Sequence, residues 1–252
     1  MSSKGALVVI GSGPGIGRST AGYFAEKGFK HIVLLSRDES HLVEDAKIVT
    51  SAATGVKVDT FKIDMSADEA AVKKSLGDVD DSLKTAGVPL EVVLYNAARV
   101  APSKIMEWDA KGLEDDLKVT TVNLYVTLQW AVPHLLETSK SQSYNPAFLT
   151  TSGTLYRDPF PFLFSLAAGK AAQHNLMYSF HMKYEPQIHV ACVPVGGFVR
   201  DDAKVTSARA VAGEFWKLYE QPKGKEGKIS VEMEDPDYLA MVEGFRKQVE
   251  GS

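Results

Sequence analysis

Seven residues near the start of the chain, Gly11-Ser12-Gly13-Pro14-Gly15-Ile16-Gly17, have the types and spacing of a phosphate-binding turn. They follow an apolar run and open an amphipathic one. Glycine there permits a tight turn, close backbone approach to a pyrophosphate, and close packing of helix on strand. The free N–H groups at the helix start, with the helix dipole, hold negative charge. In this context Gly11, Ser12, Gly15, Ile16 and Gly17 read as a dinucleotide site; the alternative is a glycine-rich turn with no ligand. A second informative stretch is Leu34-Leu35-Ser36-Arg37-Asp38. A carboxylate at the end of the second strand would bind the adenosine ribose diol and repel a 2′-phosphate. Ser36 stands at that position with Arg37 beside it, and an arginine pairs bidentately with phosphate. The pair favours NADP(H) over NAD(H). The competing reading has Asp38 on the ribose and Arg37 solvated, and Pro14 puts no basic residue in the turn.

These residues need elements to position them. Short β-branched runs at Ala6–Ile10, His31–Ser36, Val56–Ile63, Glu91–Tyr95, Ala147–Thr151, Ile188–Val193 and Lys228–Val231 read as strands. Amphipathic stretches near 16–27, 39–52, 67–86, 107–138, 160–184, 207–220 and 236–249 read as helices. Such alternation implies a parallel sheet covered on both faces, and right-handed crossovers make it an α/β doubly wound, Rossmann-like sheet of about seven strands. The chain of 252 residues, 44% hydrophobic, suits one such domain, 1–252. Ligands bind such sheets beyond the C-terminal strand ends. Net charge is −4 with scattered basic residues, which argues against a nucleic-acid partner. No apolar run approaches a membrane span, no secretory leader is visible, and no metal-ligand pattern stands out. One cysteine, Cys192, excludes an internal disulfide framework and fits a reducing, cytoplasmic setting.

The run Phe164-Ser165-Leu166-Ala167-Ala168-Gly169-Lys170-Ala171-Ala172 resembles the active-site helix of the short-chain dehydrogenases/reductases, Tyr-x-Ala-Ser-Lys-Ala-Ala. With Lys170 on the family lysine, Leu166 takes the place of the tyrosine, and an isobutyl group can neither donate nor accept a proton. The glycine turn is similar to the family's fingerprint, except that Ile10 stands for a usual threonine. Asp64-Met65 resembles the aspartate stretch near the adenine, and Asn96-Ala97-Ala98 resembles the family's Asn-Ala-Gly. The resemblance covers about residues 5–200. It implies hydride transfer between a nicotinamide and a carbonyl or alcohol, with Asn123 kinking a helix and holding a water. Ser152 would orient substrate, although the spacing also admits Thr151. Lys170 would bind the nicotinamide ribose. Bland alternatives are a polar helix position for Asn123, a loop-capping serine, and a structural buried lysine. The resemblance also implies a homodimer or homotetramer built on the 107–138 and 160–184 helices.

What replaces the phenol is open. Ser165 points about 100° away from Leu166 around the helix. Tyr156 follows Ser152 and could swing inward. Tyr95 more naturally packs by the cofactor, and His174 against a neighbouring helix. Lys170 becomes an acid itself if burial depresses its pKa. The loop Pro194-Val195-Gly196-Gly197-Phe198-Val199-Arg200-Asp201 keeps Gly196 and Gly197 for close approach to the nicotinamide, but Asp201 stands where a threonine is usual. Only a short lid, 201–207, precedes the next helix, which implies an open site. Losing a positioned general acid costs roughly 10²–10⁴-fold. The reading is therefore an atypical NADP(H)-dependent oxidoreductase of a small organic molecule, with the electrophile activated as an iminium or enone. The other reading is an NADP(H)-binding relative that performs a non-redox cyclisation, isomerisation or dehydration, or only binds.

Overall fold

The computed structural model describes residues 4–221 and 227–250. Strands β1 (Ala6–Ile10), β2 (His31–Ser36), β3 (Lys57–Lys62), β4 (Leu90–Tyr95), β5 (Ala147–Gly153), β6 (His189–Gly196) and β7 (Met233–Glu234) form one parallel sheet of order β3-β2-β1-β4-β5-β6-β7. The order reverses between β1 and β4, so the crevice for a ligand opens at their C-terminal ends.

Strand alternation sends successive side chains to two cores. Val8, Val33, Val93, Phe148 and Val190 meet Val72 and Leu76 of α3 (Glu69–Ala86), Leu124 and Leu128 of α5 (Asn123–Ser139) and Met177 of α6 (Phe164–Tyr184). On the other face Leu7, Val9, Ile32, Leu34 and Leu149 meet Phe24 of α1 (Ile16–Glu26), Leu42 of α2 (Glu39–Ala52) and Phe215 of α7 (Ala208–Tyr219). The remaining helices are α4 (Ala110–Leu117) and α8 (Pro236–Glu250).

Two elements depart from expectation. The single helix expected over 107–138 is two helices, α4 and α5, joined by a π-helical turn at Lys118–Val122. A π turn frees backbone carbonyls, and these find partners elsewhere: Tyr95 Oη donates to Val119 O at 2.5 Å, and Gln173 Nε2 to Thr120 O at 3.3 Å. The last strand is displaced from Lys228–Val231 to Met233–Glu234; the earlier segment contributes only an isolated bridge between Ser230 and Cys192.

Candidate active site

The glycine turn is built against the end of β4. Gly11 has φ +93°, and a Cβ on it would lie 2.6 Å from the Ala97 nitrogen. A Cβ on Gly17 would lie 2.5 Å from Gly11 O. Asn96 Nδ2 donates to Gly11 O at 2.8 Å, so Asn96 clamps the turn to the sheet. Gly13 and Gly15, by contrast, face open space. Side chains of Asp38, Asp68, Asp109 and Ser207 cap α2, α3, α4 and α7, but Gly15 gives α1 no side-chain cap. The first amides of α1, at Ile16 and Gly17, thus lack a side-chain acceptor, which suits a phosphate. Ser12 is turned inward: its Oγ donates to Asp45 at 2.6 Å and its N–H to Leu35 O, so its polar groups serve the fold.

At the end of β2 the acid is already engaged. Asp38 accepts from Ser40 N, Ser40 Oγ and His41 N at the start of α2, while its own N–H donates to the buried Ser36 Oγ at 3.3 Å. Arg37 is exposed, and no ion pair or hydrogen bond among the described residues ties down its guanidinium. Its charge reaches Asp64, whose carboxyl lies below its ordinary range: partial burial pushes upward, but the Ser66 hydrogen bonds and Arg37 outweigh it. Met65 is buried beneath.

The chemical centre lies where β5 meets α6. Lys170 is buried, and its Nζ donates to Thr151 O at 2.9 Å and Gln173 Oε1 at 3.0 Å. Burial lowers its pKa to about 8, against the opposing influence of Cys192. The hydroxyls of Ser152 and Thr151 are buried without a hydrogen-bond partner among the described residues. By alternation Ser152 shares the α6-facing side with Thr150, which donates to Met177 Sδ. An unpartnered buried hydroxyl beside an ammonium suits a carbonyl oxygen. Leu166, one turn before Lys170, is 4% exposed and closes this corner with hydrocarbon.

Asn123 is buried, with its amide engaged on the segment after β3. Its Nδ2 donates to Met65 O at 2.7 Å and Ala67 O at 3.0 Å, tying α5 to the segment after β3. The kink expected of it is real, but it precedes Asn123. The link to Lys170 runs through Gln173, which bridges the ammonium and Thr120 O. Gly169 makes this approach feasible, since a Cβ there would sit 3.1 Å from the Thr120 side chain. Gln173 lies one helical turn after Lys170, a spacing the sequence displays but whose partner across the fold it does not.

Of the weighed replacements for the phenol, Ser165, Tyr156 and Tyr95 are committed elsewhere, whereas Lys170 meets the condition set for it, its pKa being lowered by burial. Ser165 Oγ donates to Asp116 at 2.5 Å, and Arg99 holds the same carboxylate through Nε and Nη2. Tyr156 donates to Glu232 at 2.5 Å and stacks on His174 with ring centroids 3.8 Å apart. Burial, then Glu232, raises its pKa. Tyr95 is spent on the π turn.

Gly196 and Gly197 are crowded by the chain's own side chains. The space a Cβ would take at Gly196 holds Thr154 Oγ1 and the Tyr238 ring, each 2.8 Å away. At Gly197, φ +141°, it holds Asp235 Cβ at 2.9 Å. These glycines make room for the chain's own side chains. The segment beyond folds on itself, with Thr206 Oγ1 donating to Phe198 O at 3.0 Å and Arg200 pairing with Asp202 at 3.3 Å, while Asp201 is exposed. It leaves Phe198 76% exposed, and Val100, Met106 and Phe162 on neighbouring loops are exposed as well. Among the described residues no helix is long and apolar enough to cross a membrane.

The model of the short chain dehydrogenase family matches residues 5–209. A very-long-chain 3-oxoacyl-CoA reductase of Kluyveromyces lactis is 28% identical over 172 residues, 67% of this chain and 47% of that protein. The corresponding reductase of Scheffersomyces stipitis is 30% identical over 65% of this chain and 46% of its own length. The chain thus spans about half the length of these curated relatives. Among solved structures, an alcohol dehydrogenase from Thermococcus sibiricus complexed with 5-hydroxy-NADP aligns with TM-score 0.79 at 18% identity, covering 92% of this chain and 97% of that one. The NADH-dependent reductase A1-R′ complexed with NAD aligns with TM-score 0.78 at 17% identity, covering 92% and 96%.

Proposed function

Because the chain belongs to the short chain dehydrogenase family of oxidoreductases, we propose that it uses NADP(H) to reduce a small organic electrophile already activated for hydride addition, an iminium or a polarised enone. The observation that carries this reading is the corner formed by Lys170, Ser152 and Leu166. The groups that would hold nicotinamide ribose and substrate oxygen are buried there with capacity to spare, while hydrocarbon stands where a proton donor would be.

The residues present fit a nicotinamide dinucleotide. The uncapped start of α1 and the open faces of Gly13 and Gly15 would take the pyrophosphate. Arg37 would take a 2′-phosphate, because Asp38 is consumed in capping α2. When bound, the nicotinamide would supply the hydride. The chain's part is to orient and polarise: Ser152 Oγ donates to the substrate oxygen, Lys170 Nζ retains a proton for a ribose hydroxyl beyond its two present bonds, and Leu166 excludes water. The relatives named as reductases, and the neighbour complexed with 5-hydroxy-NADP, support the redox reading over a non-redox one.

The test is spectroscopic. The purified chain given NADPH and a panel of cyclic iminiums and enones should lose absorbance at the reduced-nicotinamide band. Tight NADPH binding with no loss across that panel would turn the assignment to the non-redox class.

A further inference from the structure

The phenol absent from α6 has a counterpart on α8. Tyr238, in the first turn of α8, is 8% exposed and packs edge-on against Phe160 at 6.0 Å between ring centroids. Its ring and Thr154 Oγ1 fill the space left by the missing side chain of Gly196. Thr154 Oγ1 donates to Tyr238 Oη at 2.8 Å, which leaves the phenol's own hydrogen available to another acceptor.

Strand register locates this phenol relative to the chemical centre. On β5 and β6, Ser152 lies opposite Pro194, and Gly153 opposite Val195. Continuing one residue along each brings Thr154 beside Gly196. Ser152 and Thr154 therefore face the same side, one two-residue repeat apart, about 7 Å between α-carbons. That is also the α6-facing side, on which Thr150 meets Met177 and Cys192 meets His174. A substrate oxygen hydrogen-bonded to Ser152 would then share a face with Thr154 and the Tyr238 hydroxyl it holds.

We propose that Tyr238 is the proton donor of this site, delivered by the C-terminal helix to replace the phenol that position 166 lacks. The inference rests on the nicotinamide-dependent reading above, in which the reduced nicotinamide is the source of the hydride. As the substrate oxygen gains the electron pair of its C=O or enolate bond, the Tyr238 O–H breaks and its proton passes to that oxygen. The electron pair stays on Oη, Thr154 steadies the phenolate by donating to it, and solvent restores the proton. Burial, opposed by the Thr154 hydrogen bond, raises the pKa of this phenol, so it is protonated at rest.

The test places 3-fluorotyrosine at position 238 and reads the fluorine resonance by NMR. NADPH alone and then 2-cyclohexenone should each shift it, whereas the same label at Tyr156, held on Glu232, should stay put. Kinetically, Tyr238→Phe should slow NADPH oxidation with 2-cyclohexenone at least about tenfold while leaving NADPH affinity within about twofold. Adding Leu166→Tyr to Tyr238→Phe should restore rate, which a merely structural role for Tyr238 would not allow. NADPH binding, seen in its own fluorescence, with no shift at position 238 overturns the inference and leaves the cofactor assignment standing. A Tyr238→Phe chain that keeps wild-type rates also overturns it. Absence of NADPH binding removes both.

Discussion

At the scale of single residues, the arrangement turns on which polar groups are already engaged. Arg37 is unengaged where Asp38 is capping α2. Arg37→Ala should therefore weaken NADPH binding by roughly tenfold or more, the value of a charge-assisted phosphate contact, and change NADH binding by less than about twofold. Parallel fluorescence titrations check this, and equal losses would remove the 2′-phosphate contact. Lys170 yields a second prediction. Its pKa in the fold, about 8, lies below the ordinary 10.5 because of burial. Between those values the unfolded chain carries a proton that the native chain has lost, so stability rises with pH across that window, and the burden of a buried charge is full below it. The stability of wild type minus that of Lys170→Met should increase on the order of 3 kcal/mol from pH 8 to pH 10.5. Urea denaturation along that range measures it; a flat difference would mean the ammonium is not penalised by burial.

At the scale of elements, what the sequence displays and what it hides divide by the range of the interactions. The β-branched runs of β1 and β2 match their strands end to end, because a fully buried parallel strand is apolar throughout. The break between α4 and α5 is legible only in part: the resemblance implies a kink at Asn123, and the π turn lies just before it. Its cause lies in Tyr95 and Gln173, distant residues that supply donors to the carbonyls of the π turn. The same holds for the site. Gly11, Gly17 and Lys170 are placed by local pattern, but Ser12 and Asn123 are claimed by partners 33 and 58 residues away. Tyr238 carries no local signal, since only the packing of α8 against the ends of β5 and β6 brings it near Ser152. That packing is itself testable. Gly196→Ala would force a Cβ to within 2.8 Å of both Thr154 and Tyr238, so it should destabilise the fold by about 1–3 kcal/mol and displace α8. Thermal unfolding checks the first effect and amide hydrogen exchange across 236–247 the second. Unchanged stability would mean that the contact is loose.

At the scale of the whole molecule, two groups of exposed apolar side chains stand out among the described residues. One comprises Val100, Met106, Phe162 and Phe198, all in loops. The other lies on α5 and α6, where Tyr125 and Phe180 meet edge to face across the helices and Tyr178 and Met182 are exposed. The expectation of a homo-oligomer puts this second face against another copy. Met182→Glu, which adds a charge to a side chain 81% exposed, should shift sedimentation toward the monomer. A wild type that sediments as a monomer at micromolar concentration would refute the assignment. The central claim is that this chain keeps the nicotinamide side of its family's chemistry while lacking a phenol beside Lys170. Tyr238 as donor does not restore that arrangement, because it comes from α8 and not from the face of α6 that carries Lys170. The direct measurement is NADPH oxidation by wild type and Leu166→Tyr, with small saturated ketones and with 2-cyclohexenone. Wild type should turn over the enone and be slow with the ketones. Leu166→Tyr should gain at least about tenfold on ketones. Ordinary wild-type rates on ketones that Lys170→Ala abolishes, or a Leu166→Tyr chain that gains nothing, would contradict that claim.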